Sequence, residues 1–170
     1  AEDAGIKTGL RGEYLFPHTA IVDPELTLTL PLQPTQITGF DVFTHALETF
    51  ISVKSTPMTS SRSLEAIGIV AHYLPMLVAD LGNLEARSMM SYASMLMGIN
   101  LANSSTCLPH RLQYLIGAAT DTPHASGLAA LYKAWIRTTY VQSPDKFNQA
   151  FTQLSLGKMH CSNCEEVMNV

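Results

Sequence analysis

From residue 35 onward the apolar positions recur at steps of three and four, the spacing of helices that each bury one face. This pattern predicts helices over 35–53, 59–80, 84–102, 106–118, 123–139, 143–154 and 161–168. The clearest begins behind Gly39, a break after loop-like sequence, where Phe40, Phe43, Leu47 and Phe50 share one face. Ser60, Ser61 and Ser63 supply helix-starting hydroxyls ahead of Leu64, Ile67 and Val70, and Leu81-Gly82-Asn83 closes that helix and opens the next. The methionines of 89–97 read as core packing. Asp121-Thr122-Pro123 is a turn with proline at the start of the following helix. The N-terminal part differs. Residues 1–13 read as an irregular entry with Gly5, Gly9 and Gly12, and 25–33 as a linker. Between them, 17–24 holds a β-branched run ended by Asp-Pro, which predicts one short strand at 18–23. A single strand needs a sheet to join. No second strand follows, so its partners are expected outside this segment or in another copy. The fold class is mainly α.

Composition limits the partners. A chain of 170 residues can bury one core. It is 46% hydrophobic but only 14% charged, well below the usual ~25%, so another domain or subunit is expected to cover part of its surface. A net charge of −4 without a Lys/Arg cluster argues against nucleic acid and against an anionic membrane. The acidic start, Ala1-Glu2-Asp3-Ala4, does not resemble a signal peptide, and no apolar run approaches the ~20 residues that span a bilayer. Three cysteines fit a reducing compartment, hence a cytoplasmic location.

Candidate chemistry centres on histidine. Asp41 and His45 lie four apart, one above the other on a helix; they either reach one metal ion or form an ordinary surface pair. His110 and His124 each follow a proline at a predicted helix start, where ligands from several helices can converge. Together the four would offer one carboxylate and three imidazoles. That set suits Fe2+, Zn2+, Mn2+ or Co2+ and lacks the thiolates of a closed structural zinc site. Its chemistry would be Lewis-acid polarisation of a carbonyl or alcohol. His72 reads as a hydrogen-bonded core residue, and His18 carries no assignment. The single Cys161-Ser162-Asn163-Cys164 pair beside His160 reads as reduced cysteines in a terminal helix rather than a metal site.

Asp23-Pro24-Glu25-Leu26-Thr27, then 39–48 with Asp41 and His45, then His110 and Pro123-His124, together resemble the iron-dependent (group III) alcohol dehydrogenases. The resemblance covers roughly residues 5 to 140. It implies the helical C-terminal domain of the dehydroquinate-synthase-like, iron-dependent alcohol dehydrogenase fold. Residues 1–33 would be the tail of an α/β nucleotide-binding domain with its linker and strand. Residues 34–170 would be a helical metal-binding domain, truncated at its C-terminus, in a fragment or shortened family member. The resemblance makes Asp41, His45, His110 and His124 ligands of Fe2+, Zn2+ or another divalent metal. It assigns Lys7 to the bound nucleotide, NAD or NADP, and Leu26, Thr27, Leu28, Thr29 and Leu30 to the nicotinamide half of the cofactor site. Where many relatives carry a further histidine four residues after the first distal one, this chain has Tyr114, placed to hydrogen-bond a substrate oxygen or to pack. The implied activity is NAD(P)(H)-linked alcohol dehydrogenation or aldehyde reduction on a small substrate. The implied partners are a further copy of the chain or the absent nucleotide domain. Two alternatives stand beside it. One is a non-catalytic or vestigial helical module from a truncated dehydrogenase. The other is a dehydroquinate-synthase-type lyase, whose ligand pattern has a glutamate where this chain has the Asp41/His45 pair.

Overall fold

The structure, a computed structural model, describes Lys7 and residues 12–169. The irregular entry expected over 1–13 otherwise lies outside the described residues. Seven α-helices follow one another among them: α1 (Leu32–Ile51), α2 (Pro57–Ala79), α3 (Leu84–Asn103), α4 (Leu108–Thr120), α5 (His124–Thr139), α6 (Pro144–Leu154) and α7 (Cys164–Asn169). The helical fold class predicted from the periodicity is the one observed. α2 starts two residues earlier than its serines suggested, because Thr56 caps it. The Thr56 hydroxyl accepts the Thr59 N–H and the Thr59 hydroxyl accepts the Thr56 N–H, a reciprocal capping box ahead of Pro57. Asn83 caps α3 by accepting the Ala86 N–H at 2.9 Å.

The strand is a correction. No strand forms among the described residues; 17–23 run without regular structure, and Ile21 is 91% exposed. They lead into a single 3-10 turn, Pro24–Thr27, started by the Asp23 carboxylate accepting the Glu25 N–H. A β-branched run with no neighbouring edge has no ladder to complete, so its backbone groups stay with solvent. His72 is a second correction. It is exposed, edge-on to the Tyr73 ring, because the turn of α2 that points Ile69, Val70 and Leu77 inward points residue 72 outward. Gly39 does not break the chain but lies inside α1. A Cβ there would stand 2.5 Å from Leu74 Cδ1, so glycine lets α2 approach closely.

α1 is the centre of the bundle, packing on α2, α3, α5 and α6. Its Ala46 and Leu47 are fully buried, with Phe43, Phe50 and Ile51 beside them. Phe43, Leu47, Phe50 and Ile51 each contribute about 1.5–3 kcal/mol by leaving water. Met90 and Met97 of the methionine stretch are buried, whereas Met95 faces outward. Buried polar groups fix how the helices register. Asn100 of α3 donates to the Thr59 carbonyl and the Ser63 hydroxyl of α2, and Ser63 in turn pairs with Thr49 of α1. Lys146 of α6 donates to the Phe50 carbonyl at 2.9 Å, satisfying an end group of α1 where the helix dipole favours a cation. The Arg87 guanidinium, 3% exposed, ties α3 to Leu30 O ahead of α1, to Thr35 Oγ1 in the first turn of α1 and to Leu81 O in the turn before α3. Among the described residues no helix is long and apolar enough to cross a membrane.

Candidate metal centre

Three helices contribute to one cluster. α1 carries Asp41, His45 and Glu48 on the same side, at steps of four and three. The first turn of α4 carries His110. His124 is the first residue of α5, brought back to α4 by a turn at Asp121, whose φ of 54° is left-handed. Asp and Asn tolerate that conformation better than most residues.

The Nε2 atoms of His45, His110 and His124 stand 4.0, 3.9 and 3.8 Å from one atom, Asp41 Oδ1. Ligand atoms of Asp41, His110 and His124 all fall within 4.8 Å of one another. The His45 ring stacks on that of His110 at 4.7 Å. These separations are too long for hydrogen bonds. They approach the spacing of donors around a shared ion, about 3.4 Å for tetrahedral ligands each ~2.1 Å from it. His110 supplies the test of fit: it is 3% exposed, and its Nε2 is buried with no hydrogen-bond partner. A buried nitrogen left bare, aimed at a carboxylate and two other imidazoles, suits a cation. Asp41, His110 and His124 therefore fit a divalent metal held by nitrogen and oxygen donors, and His45, whose Nε2 is 4.0 Å from Asp41 Oδ1, lies beside them outside that tightest group.

Groups around the cluster fix its imidazoles. His110 Nδ1 stands 2.8 Å from Glu48 Oε1, within hydrogen-bond reach of a carboxylate. Glu48 is fully buried on α1; its Oε2 accepts the Cys107 N–H at 2.6 Å, and its Oε1 also accepts the Tyr132 hydroxyl at 3.1 Å. His124 Nδ1 is 2.6 Å from Gln113 Oε1, which orients it likewise. Gln113 fills a seat left by Gly127: a Cβ there would stand 2.9 Å from Gln113 Cγ. The Thr44 hydroxyl donates to Asp41 Oδ1 at 3.1 Å. Burial lowers the pKa of His45 below the usual imidazole range, against the pull of the Asp41 charge, and does the same at His124. Both rings are thereby kept neutral, the form that ligates metals. Burial, reinforced by Glu48, pushes the Cys107 thiol up to about 12.

The remaining predicted residues fall around this cluster or away from it. The Tyr114 ring lies nearly parallel to that of His124, centroids 6.4 Å apart, at the rim. Lys7 Nζ lies beside Gly117 of α4, and its charge also weighs on His124. The turn carrying Leu26 to Leu30 packs on α3 instead, with Leu26 80% exposed and the Leu30 carbonyl held by Arg87. Cys161 is buried and Cys164 half-buried, both free, and His160 is exposed. Sequence reasoning missed Glu48, Gln113 and Tyr132. The available signal was position: Glu48 is three residues after His45, and Gln113 three after His110, on faces otherwise turned to the core.

A family model described as the Fe-containing alcohol dehydrogenase family, C-terminal, matches residues 35–169. Sulfoacetaldehyde reductase of Bilophila wadsworthia is 32% identical over 143 residues, covering 84% of this chain and 37% of the relative. A 1,3-propanediol dehydrogenase of Citrobacter freundii is 36% identical over 132 residues, covering 78% and 34% respectively. The chain thus spans little more than a third of the length of these relatives. The crystal structure of sulfoacetaldehyde reductase from Bifidobacterium kashiwanohense in complex with NAD+ superposes with a TM-score of 0.80 at 26% identity, over 92% of this chain and 41% of that one.

Proposed function

The chain belongs to the Fe-containing alcohol dehydrogenase family, and from that premise we propose that it is the metal-holding part of an NAD(P)(H)-linked alcohol dehydrogenase or aldehyde reductase. The observation that carries this reading is the bare, buried Nε2 of His110, facing Asp41 together with His45 and His124. The relatives support the class of reaction, one being a sulfoacetaldehyde reductase and the other a 1,3-propanediol dehydrogenase.

In this reading Asp41, His45, His110 and His124 hold one divalent ion, Fe2+ or Zn2+. A cation bound there supplies Lewis-acid polarisation of a substrate carbonyl or alcohol oxygen. The chain's own groups do the rest of the positioning. Glu48 and Gln113 keep two imidazoles in the tautomer whose Nε2 is free, and the α1–α4–α5 junction fixes their directions. Tyr114, stacked beside His124, offers a phenol at the rim to hydrogen-bond the substrate oxygen. Lys7 and the turn from Leu26 to Leu30 contribute to the nucleotide side. Residues 34–170 act as the metal domain and 1–33 as the link to a nucleotide-binding partner domain, and the assembled protein works as a homo-oligomer. The NAD+ bound by the Bifidobacterium relative supports a nicotinamide nucleotide as the hydride carrier.

Equilibrium dialysis of the purified chain against Fe2+ or Zn2+ tests the reading. One ion is expected per chain, removable by a chelator. The reading fails if no ion binds, or if His124→Ala, checked to be folded, binds it as tightly. The chain alone is expected to turn over no nucleotide; normal NAD(P)H-linked turnover by it would overturn the division of labour.

A further inference from the structure

We propose that Glu48 is the positioning residue of this metal centre, a two-ended acceptor that sets the tautomer and direction of His110; the proposal rests on the metal reading above. The carboxylate is fully buried and receives donors at both ends. Oε1 accepts His110 Nδ1–H at 2.8 Å and the Tyr132 hydroxyl at 3.1 Å, and Oε2 accepts the Cys107 backbone N–H at 2.6 Å. Only a carboxylate offers acceptors at both ends. An amide of the same shape turns one end into a donor, which must then face either the imidazole N–H or the backbone N–H. Glutamine at this position therefore opposes a donor to a donor or allows His110 to rotate or change tautomer.

The Cys107 contact adds a second function. Cys107 is the residue ahead of α4, whose own side chain makes no cap, so a side chain from α1 satisfies an N–H at the helix start. A negative charge there also suits the positive end of the helix dipole. One group thus fixes α4, which carries His110, and the His110 ring itself. Tyr132 steadies the same Oε1 that accepts His110, its hydroxyl shared between Glu48 and the Thr44 carbonyl at 3.0 Å. The chain Thr44–Tyr132–Glu48–His110 links α1, α5 and α4, the three helices that supply the cluster.

Two measurements test the proposal. In the metal-free wild-type chain, 15N chemical shifts of the His110 ring are expected to show the proton on Nδ1; a proton on Nε2 overturns the proposal with no variant needed. In Glu48→Gln, shown to be folded by its circular dichroism, the Co2+ dissociation constant is expected to rise about 10–100-fold, with a mixed or inverted His110 tautomer. Unchanged affinity and tautomer in the folded variant would sink the proposal. Wild type that binds no Co2+ would instead sink the underlying metal reading, so the two failures are distinct.

Discussion

Gln113 Oε1 receives the Nδ1–H of His124 at 2.6 Å, and the amide is wholly buried in a seat that Gly127 leaves open. The amide fixes one imidazole as Glu48 fixes another. Gln113→Leu keeps the volume and removes the acceptor, so metal affinity is expected to fall about tenfold with the helices intact. Gly127→Ala reaches the same end from the other side, because the added Cβ stands 2.9 Å from Gln113 Cγ and displaces it. Alanine is the better helix former, so weakened metal binding with undiminished helicity would isolate the positional effect. Calorimetric metal titration of both variants checks this.

Arg87 of α3 reaches Leu30 O ahead of α1, Thr35 Oγ1 on α1 and Leu81 O in the turn before α3, acceptors that are partly or wholly buried. Arg87→Ala is expected to cost about 2–4 kcal/mol in chemical denaturation, since it strands the buried Thr35 hydroxyl and two part-buried carbonyls. Arg87→Lys restores only part of it, because one ammonium cannot reproduce the planar fork.

The Cys107 thiol, raised to about 12, should resist alkylation. At pH 8 its reaction with iodoacetamide is expected to be at least about a hundredfold slower than that of free cysteine, since the thiolate is the nucleophile. The raised pKa also sets a pH effect. Between an unfolded thiol near 9 and the folded value of about 12, the folded state holds the proton that the unfolded state has lost. This contribution to stability is complete below about pH 9 and is lost as pH rises towards 12. Denaturation midpoints of wild type and Cys107→Ser across that range test the sign.

Metal removal gives a thermal readout. An ion that binds only the folded chain stabilises it by ~2.7 kcal/mol at a free concentration about 100 times Kd. The melting temperature is therefore expected to rise with added Zn2+ and to return with chelator, and to stay unmoved in His110→Ala.

The helices were legible because their information is local. The 3.6-residue recurrence of Phe43, Leu47 and Phe50, the Asn83 cap and the proline at the start of α5 can all be read within a few residues. The error at 18–23 has a local origin too: Ile21-Val22 has strand composition, but strand formation depends on a partner edge that no window of this sequence contains. Asp41, His45, His110 and His124 were visible as residue types at suggestive positions. Glu48 and Gln113 were not, because each looks like an ordinary polar helix residue until α4 and α5 fold against α1. Their contacts with the two histidines span 62 and 11 residues of sequence.

The most direct measurement is the absorption spectrum of the chain loaded with Co2+. If Asp41, His45, His110 and His124 share the ion, one Co2+ binds per chain with weak visible bands of nitrogen and oxygen ligation, and these vanish in His110→Ala. Absence of bound Co2+, or an intense near-ultraviolet thiolate charge-transfer band from Cys161 or Cys164, would contradict the site.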